Sequence, residues 1–207
     1  MAKTRKFASD LATIFMGAGA SIKVMYGTEV IDLPVHEFLW GAHDMEKLVV
    51  LSLSLPLLKP GEVFETYRTA IRQNSAHALI NAAFRVTLED GVVTAASMAY
   101  GLVKERAIFA EAAQEVQPPA CRHPSHLTPL GRFEAAAVCP PQALVGQPLT
   151  PGTLRSLLAA VGKLELIQET HLFTTMQPEG KDAYRASLVR SFAYKFFLKL
   201  CAESGET

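Results

Sequence analysis

The spacing of apolar and polar positions predicts that the chain opens with a helix followed by short strands. Ser9 and Asp10 precede apolar residues at helical spacing, and either side chain can accept hydrogen bonds from backbone amides of a first helical turn. Residues 22–26 alternate between apolar and polar in the manner of a strand, and residues 30–33 can return beside them as a second strand. Residues 34–39 are then predicted to form a short helix.

A longer apolar run follows at residues 48–55 and predicts a strand with at least one face well buried. Prolines and a glycine end this run, because none of these residues readily extends a central strand. We therefore place a domain boundary here and expect one unit at residues 1–60 and a second at residues 61–203.

The second unit begins with a pattern typical of an antiparallel sheet. Residues 63–72, 83–90 and 92–100 are predicted strands, and Asp90-Gly91 is a strong hairpin signal because both residues tolerate positive φ. Residues 105–116 are rich in Ala and Glu, which favours a helix.

The C-terminal third combines a proline-rich segment with two predicted helices. Six prolines lie within residues 117–142, where no helical or strand period survives, so we expect a loop-like insertion. Thr150-Pro151 is a good start for one helix, and a second helix is expected from Asp182. Large apolar side chains recur every four residues along it: Tyr184, Leu188, Phe192, Phe196 and Leu200. The pattern predicts an α+β fold, an antiparallel sheet with helices packed on one face.

Composition narrows the classes of partner. Hydrophobic residues make up 49% of the chain, and 20 basic residues balance 20 acidic ones. This balance gives no reason to expect a nucleic acid or an anionic membrane as partner. No apolar run reaches the roughly 18 to 20 residues needed to span a bilayer, and Asp10 interrupts the only stretch that faintly resembles a signal peptide. With three widely spaced cysteines, the sequence favours a reducing compartment and a cytoplasmic protein.

Two groups of residues invite a chemical role that their spacing does not support. His36 and Glu37 are neighbours on the predicted short helix, and adjacent helical positions point apart, so we expect no acid–base pair there. Four potential zinc ligands lack the spacing of a compact zinc motif, so no metal site is predicted. These residues are Cys121, His123, His126 and Cys139. No catalytic residue is assigned, and a Cys/His or Ser/His nucleophile stays open.

Three collinear stretches resemble the xanthine dehydrogenase and aldehyde oxidase family of molybdenum hydroxylases. The first is the segment of residues 6–20 that contains Ser9-Asp10. The second, residues 50–84, includes Phe64-Glu-Thr-Tyr-Arg68 and Asn81-Ala-Ala-Phe84, and the third lies within residues 184–196. The Phe64-Glu-Thr-Tyr-Arg68 sequence in the second stretch resembles plant-type aldehyde oxidases more than xanthine dehydrogenases. The resemblance covers most of the chain outside residues 117–142. It implies the C-terminal half of an FAD-binding domain, with a CO dehydrogenase flavoprotein C-terminal-like subdomain at residues 61–203.

The resemblance implies an electron-transfer role. In the family, substrate is oxidised at a molybdenum cofactor, and electrons pass through two iron–sulfur clusters to FAD and then to oxygen or NAD. The FAD pyrophosphate loop, the cluster ligands and the molybdenum domain have no counterpart in this sequence. We therefore expect weak or no FAD binding by the chain alone, and a partner that is the remainder of a molybdenum hydroxylase or a related chain. The alternative is a noncatalytic interaction module.

The resemblance also implies four cofactor-binding residues. Asp10 matches an acidic residue near the flavin, with Ser9 before it in the same motif; Val50 matches an apolar flavin contact, and Arg68 a basic residue at the flavin edge. Each residue has a simpler structural alternative. Ser9 or Asp10 can cap the first helix. Val50 can pack in the hydrophobic core, and the Arg68 side chain can be solvated or ion-paired.

Overall fold

The computed structural model describes residues 9–41, 47–103, 107–109, 143–164 and 182–205. Within these residues the chain forms seven strands and four helices, arranged as two antiparallel sheets with packed helices. The α+β prediction is confirmed.

The N-terminal elements follow the predicted order. They are α1 (Asp10–Ala18), β1 (Ser21–Tyr26), β2 (Glu29–Pro34), α2 (Val35–Trp40) and β3 (Leu48–Ser54). The three strands form an antiparallel sheet of order β2-β1-β3. Apolar side chains from the inner face of this sheet, from α1 and from α2 form one core. The alternation of apolar and polar residues in β1 therefore has the cause expected from the sequence, which is burial of one face only.

The second sheet contains four antiparallel strands in the order β4-β5-β6-β7. They are β4 (Glu62–Ala70), β5 (Ala78–Glu89), β6 (Val92–Gly101) and β7 (Ile108–Phe109). Asp90 and Gly91 both have positive φ, 52° and 75°, and form the predicted hairpin turn between β5 and β6.

The strand β7 corrects the helix predicted at residues 105–116. Phe109 pairs with Ala99 and Ile108 with Tyr100, and both β7 residues are half-buried. Helix propensity is a weak preference that tertiary pairing readily outweighs. The rest of the predicted helix, apart from Ala107, and the proline-rich segment of residues 117–142 lie outside the described residues.

Two helices cover one face of the four-stranded sheet, and α1 covers the other. Helix α3 (Pro151–Val161) begins at Thr150, whose side chain accepts a hydrogen bond from the Thr153 amide at 3.2 Å, as a capping residue does. Helix α4 (Asp182–Ser204) lies beside it, and side chains from both helices pack against β5 and β6. None of the helices in the described ranges combines the length and the hydropathy needed to cross a bilayer.

The buried stripe of α4 differs from the predicted one at its N-terminal end. Phe192, Phe196 and Leu200 are buried as expected, whereas Tyr184 is 48% exposed. A four-residue step overshoots one helical turn by about 40°, so a strict four-residue repeat drifts around the helix. Arg185, which does not belong to the predicted apolar repeat, is buried in place of Tyr184.

The strand prediction for residues 48–55 is confirmed, but the prediction of a well-buried face is wrong. Five of the seven β3 residues are exposed, including Val49, Val50 and Leu51 at 51%, 37% and 48%. The physical reason is position: β3 lies at the edge of its sheet and pairs with β1 alone among the strands that the structure describes.

Candidate functional site

The helix α1 lies very close to the four-stranded sheet because a glycine faces the sheet. A Cβ atom on Gly17 would come within 2.5 Å of Ala83 Cβ and of the Ala83 carbonyl oxygen. The absence of a side chain at this position brings the helix backbone onto β5. The first turn of α1 consequently lies over one end of β4, β5 and β6.

A row of three residues crosses the sheet beneath this turn. Arg68 on β4 pairs with Asn81 on β5, and Asn81 pairs with Gly101 on β6. Residues in register on adjacent antiparallel strands present their side chains on the same face. This face is the one that α1 covers, since Asn81 contacts Thr13 and Asp10 of α1.

Hydrogen bonds join the row to the start of α1. Asp10 Oδ2 accepts from Arg68 Nε at 2.8 Å, and Asp10 Oδ1 accepts from Asn81 Nδ2 at 2.5 Å. Thr13 Oγ1 donates to Asn81 Oδ1 at 2.8 Å, so both ends of the Asn81 amide are bonded to α1. We call Asp10, Thr13, Arg68 and Asn81 the Asp10 cluster.

The Asp10 cluster has a buried side and an exposed side. Thr13 and Asn81 are 1% and 3% exposed, whereas the side chains of Asp10 and Arg68 are each 38% exposed. Arg68 Nη2 also donates to the carbonyl of Ala76 in the loop between β4 and β5. The cluster therefore presents a fixed carboxylate and a fixed guanidinium side by side at the surface. A carboxylate accepts hydrogen bonds from hydroxyl or imide groups, and a guanidinium donates to phosphate or carbonyl oxygens.

Three of the predicted site residues meet here and the fourth does not. Ser9 is the N-cap of α1, and its hydroxyl accepts from the Ala12 amide at 3.2 Å, which is the structural alternative foreseen for the Ser9-Asp10 pair. Asp10 and Arg68 bind one another. Val50 lies on β3 of the other sheet, where it pairs with Val24 of β1. The assignment of all four residues to a cofactor stays a prediction.

Sequence reasoning missed Thr13, Asn81 and Gly101. A Cβ atom on Gly101 would overlap Asn81 Oδ1 and Thr13 Oγ1, so this position admits only glycine while the bond between those two atoms is present. One signal could have identified Asn81: it is an amide within an apolar strand, and a buried amide needs hydrogen-bonding partners.

A second polar contact fixes the C-terminal end of α1. Arg85 Nη1 donates to the Ala18 carbonyl at 2.8 Å, and Arg85 Nη2 donates to Glu62 Oε2 at 2.6 Å. The same Glu62 oxygen accepts from the Lys59 amide at 2.8 Å. Desolvation acts to raise the pKa of Glu62, but the Lys59 amide and the Arg85 guanidinium outweigh it and lower that pKa from 4.5. Both ends of α1 are thus bonded to the sheet.

Of the other candidate groups, only the pair of His36 and Glu37 lies within the described residues. His36 Nε2 lies 3.9 Å from Glu37 Oε1, so the expectation that these side chains point apart is wrong, although the distance exceeds that of a hydrogen bond. The four potential zinc ligands lie outside the described residues. In the part of the chain that the structure does describe, no group of three or more His, Cys, Asp or Glu side chains could hold a metal ion.

Comparison with known proteins identifies aldehyde oxidases and xanthine dehydrogenases among the relatives of this chain. Residues 65–118 match the family model of the CO dehydrogenase flavoprotein C-terminal domain. Indole-3-acetaldehyde oxidase of Arabidopsis thaliana is 37% identical over 111 residues, which are 49% of this chain and 8% of that protein. Xanthine dehydrogenase 1 of Arabidopsis thaliana and aldehyde oxidase 3 of Rattus norvegicus are 25% and 26% identical, each over 92% of this chain and 12% of the relative. The chain thus spans about a tenth of the length of these curated relatives.

Solved structures share the fold. Quinoline 2-oxidoreductase from Pseudomonas putida 86 superposes with a TM-score of 0.65 at 18% identity, over 98% of this chain and 60% of that chain. Reconstituted CO dehydrogenase from Oligotropha carboxidovorans superposes with a TM-score of 0.63 at 14% identity, over 92% of this chain and 55% of that chain. Residues 65–118 thus resemble the CO dehydrogenase flavoprotein C-terminal domain, and the predicted resemblance of the chain to the xanthine dehydrogenase and aldehyde oxidase family is confirmed.

Proposed function

We propose that this chain is the C-terminal part of the FAD-binding domain of an aldehyde oxidase- or xanthine dehydrogenase-like oxidoreductase. In the intact enzyme it would help to pass electrons from iron–sulfur clusters through FAD to oxygen or NAD. The observation that carries the proposal is the bond between Asp10 and Arg68, which joins two residues that the family resemblance assigns to the flavin. We propose a cytoplasmic location and the two units predicted at residues 1–60 and 61–203.

The chemistry of the Asp10 cluster fits part of a flavin nucleotide. We assign the Asp10 carboxylate to a hydroxyl or imide donor of FAD, because a carboxylate repels phosphate. We assign Arg68 to an acceptor oxygen of the cofactor, and Val50 to an apolar contact. FAD, when bound, supplies the electron-accepting isoalloxazine ring, while these residues hold and orient it.

The affinity of the chain alone is expected to be low. Few polar groups of the Asp10 cluster reach the surface, and none of them is a backbone amide of the kind that binds the pyrophosphate of a dinucleotide. We therefore propose that full FAD binding needs the remainder of a molybdenum hydroxylase. The molybdenum cofactor and the iron–sulfur clusters would belong to that remainder.

A second candidate function is a noncatalytic interaction module that does not hold FAD. The observation that favours it is the exposed apolar strand β3, since exposed apolar surface of this kind often marks an interaction site. Such a module would bind a related chain through its sheet and leave electron transfer to others.

The visible absorption spectrum of the purified chain separates the two candidates. The protein is desalted with and without added FAD, and the flavin bands are compared with those of free FAD. Asp10→Ala and Arg68→Ala are compared with Arg72→Ala, which removes an exposed arginine whose bonds go to its own loop. The proposal predicts a perturbed flavin spectrum when the chain is combined with the rest of a homologous flavin domain, and it predicts that the first two variants weaken this spectrum while the control keeps it.

The opposite result has a definite meaning. If the protein stays colourless at high FAD concentration, both alone and with the rest of a homologous flavin domain, the flavoprotein function is excluded and the interaction module remains. If flavin is retained and Arg72→Ala weakens it as much as Arg68→Ala, the cofactor does not contact the Asp10 cluster.

A further inference from the structure

The loop between β4 and β5 carries a serine with an arginine side chain bonded on either side of it. Residues 71–75 are exposed in succession, and Ser75 lies at their end. Arg72 donates to the Ser75 carbonyl twice, from Nη2 at 2.6 Å and from Nε at 3.2 Å. Arg68 Nη2 donates to the next carbonyl along the chain, that of Ala76. Two guanidinium groups therefore hold consecutive carbonyls at Ser75.

The Ser75 hydroxyl is not engaged in the way that several other serine hydroxyls are. Ser9 Oγ accepts from the Ala12 amide, and the Ser187 hydroxyl donates to a carbonyl of its own helix. Among the described residues, the Ser75 hydroxyl has no hydrogen-bonding partner, and the residue is exposed. Polar residues on exposed loops are the positions that enzymes acting on the chain reach most easily.

The sequence before Ser75 has the charge pattern that basophilic protein kinases select. Arg72 precedes Ser75 by three residues, and the two residues between them are uncharged and exposed. Kinases of this class bind such an arginine through acidic side chains of their substrate groove, and charge patterns of this kind set their specificity. Within the described ranges, no other arginine precedes a serine or threonine by three residues. The same spacing recurs at Arg122 and Ser125, which lie outside those ranges.

We propose that Ser75 is a phosphorylation site for a serine kinase that recognises Arg72. In the reaction, Ser75 Oγ forms a bond to the γ-phosphorus of a nucleoside triphosphate, and the bond from that phosphorus to the bridging oxygen breaks. The products are phosphoserine and a nucleoside diphosphate, and the hydroxyl proton passes to a base of the kinase. Arg72 is free to act as the recognition residue, because its exposed bonds to its own loop can be exchanged for bonds to the kinase.

A phosphate on Ser75 would compete with Asp10 for the Arg68 guanidinium. Phosphoserine carries about 1.5 to 2 negative charges at pH 7 and offers three strong acceptor oxygens. Arginine binds phosphate through parallel, charge-assisted hydrogen bonds. Since Arg68 already donates to Ala76, the residue after Ser75, the new phosphate lies within reach of this guanidinium. We expect Arg68 to turn onto the phosphate and its bond to Asp10 to be lost.

Loss of the bond between Asp10 and Arg68 would alter the site proposed for FAD. Asp10 would keep its bond to Asn81 but lose its cationic neighbour, and a second anionic group would stand nearby. FAD carries phosphate groups of its own, so added negative charge here disfavours its binding. This effect on FAD rests on the proposed function, whereas the phosphorylation of Ser75 and the release of Asp10 do not.

Phosphorylation of the full chain in vitro tests the proposal. The chain is incubated with Mg²⁺, ATP and the catalytic domain of a kinase of this specificity, and tandem mass spectrometry locates the phosphate. Every form carries Ser125→Ala, so that the second match to the pattern contributes nothing. Ser75→Ala and Arg72→Ala are compared with Ser187→Ala, which removes an exposed serine hydroxyl on α4. Circular dichroism verifies that each variant is folded.

We expect the phosphate to be found on Ser75 and to be abolished there by Ser75→Ala. Arg72→Ala should lower the initial rate by about tenfold or more, because one charge-assisted contact to the kinase is lost. Ser187→Ala should react at the rate of the parent. A folded chain in which Ser75 stays unmodified, or a rate that Arg72→Ala leaves unchanged, would overturn the proposal.

Heteronuclear NMR of the arginine side chains measures the effect on the Asp10 cluster. The Arg68 Nε–H resonance, assigned with Arg68→Gln, is expected to shift when Ser75 is phosphorylated. An unchanged resonance would overturn the link between the loop and Asp10. FAD titration of the modified and unmodified chains, each combined with the rest of a homologous flavin domain, is scored separately. Weaker binding after phosphorylation would support the link, whereas no binding by either form would exclude the proposed flavin function and leave the modification site standing.

Discussion

Arg68 Nε donates to Asp10 Oδ2 at 2.8 Å, which joins β4 to the first residue of α1 across 58 positions of sequence. Both side chains are 38% exposed, and exposed ion pairs contribute little free energy because water and salt screen them. The orientation of Asp10 depends more on the buried Asn81, which holds its other carboxylate oxygen. The pair is therefore better suited to presenting two fixed groups at the surface than to stabilising the fold.

The first prediction concerns the free energy of coupling between Asp10 and Arg68. A double-mutant cycle with Asp10→Ala and Arg68→Gln is expected to give a coupling energy of about 0.2–1 kcal/mol that decreases with added salt. The measurement is urea unfolding of the parent, both single variants and the double variant. A cycle between Asp10→Ala and Arg72→Gln is the control and should be additive. A coupling energy above about 2 kcal/mol would contradict the interpretation that the pair mainly fixes two groups at the surface and contributes little to stability.

The second prediction concerns Asn81. The variant Asn81→Ala removes the partner of Asp10 Oδ1 and of the Thr13 hydroxyl, and leaving a buried polar group without its partner costs about 1–3 kcal/mol. We expect a loss of this size in the free energy of unfolding, measured with urea. Asn74→Ala, in the exposed loop between β4 and β5, should change it by less than about 0.5 kcal/mol. Equal losses in the two variants would mean that the Asn81 amide is not held as the structure has it.

The third prediction concerns the space at Gly101. A Cβ atom there would overlap Asn81 Oδ1 and Thr13 Oγ1, so Gly101→Ala should break their hydrogen bond and destabilise the fold by about 1–3 kcal/mol. Gly152→Ala offers a matched control in the first turn of α3, where the nearest atom outside its chain neighbours is 3.5 Å from the new Cβ. Alanine favours a helix more than glycine does, so the control should be neutral or slightly stabilising. Thermal unfolding of both variants provides the comparison, and a neutral Gly101→Ala would show that the row can spread.

Local sequence patterns predicted most of the elements because each depends on neighbours in the chain. The hairpin at Asp90-Gly91 follows from the φ angles that two residues tolerate, and the start of α3 follows from the Thr150 cap. The position of a strand within its sheet depends on residues far away in the sequence, so local patterns could not predict it. The apolar sequence of β3 predicts burial but cannot show that the strand lies at an edge, and the composition near Ile108 cannot show that β6 offers it a partner.

In the candidate site, too, some residues could be identified from the sequence and others only from the structure. Asp10 and Arg68 were identified through a family resemblance, and the structure adds that they bind one another. Asn81 and Thr13 were not identified, because a buried amide and a hydroxyl become visible as a pair only when α1 is laid on β5. Arg185 is a comparable case, since it lies outside the predicted apolar repeat and the drift of that repeat around α4 turns it inward.

The fourth prediction concerns Arg185, which is 4% exposed. Its guanidinium donates to the carbonyls of Leu102 and Leu79, so it joins α4 to the ends of β6 and β5. Arg185→Met keeps much of the volume but removes the donors, and we expect a loss of about 1–3 kcal/mol for each buried carbonyl left unsatisfied. Arg190→Met, at an exposed position on the same helix, is the control. The chevron or the equilibrium urea curve provides the free energy, and similar stability of the two variants would contradict the role assigned to Arg185.

The fifth prediction concerns the pH dependence of stability and follows from Glu62. Desolvation acts to raise the pKa of Glu62, but the hydrogen bonds that Glu62 accepts from the Lys59 amide and from Arg85 have a larger, opposite effect. The net pKa is lowered, so the folded state favours the ionised carboxylate. A folded-state pKa below the unfolded value of 4.5 contributes stability above pH 4.5, and that contribution is lost as the pH falls through the lowered pKa. Glu62→Gln should therefore be less stable than the parent near neutral pH and should lose less stability on acidification. Urea unfolding at several pH values tests this, with Glu89→Gln at the exposed end of β5 as the control. If Glu62→Gln loses as much free energy of unfolding on acidification as the parent does, the carboxylate does not hold Arg85 against the end of α1.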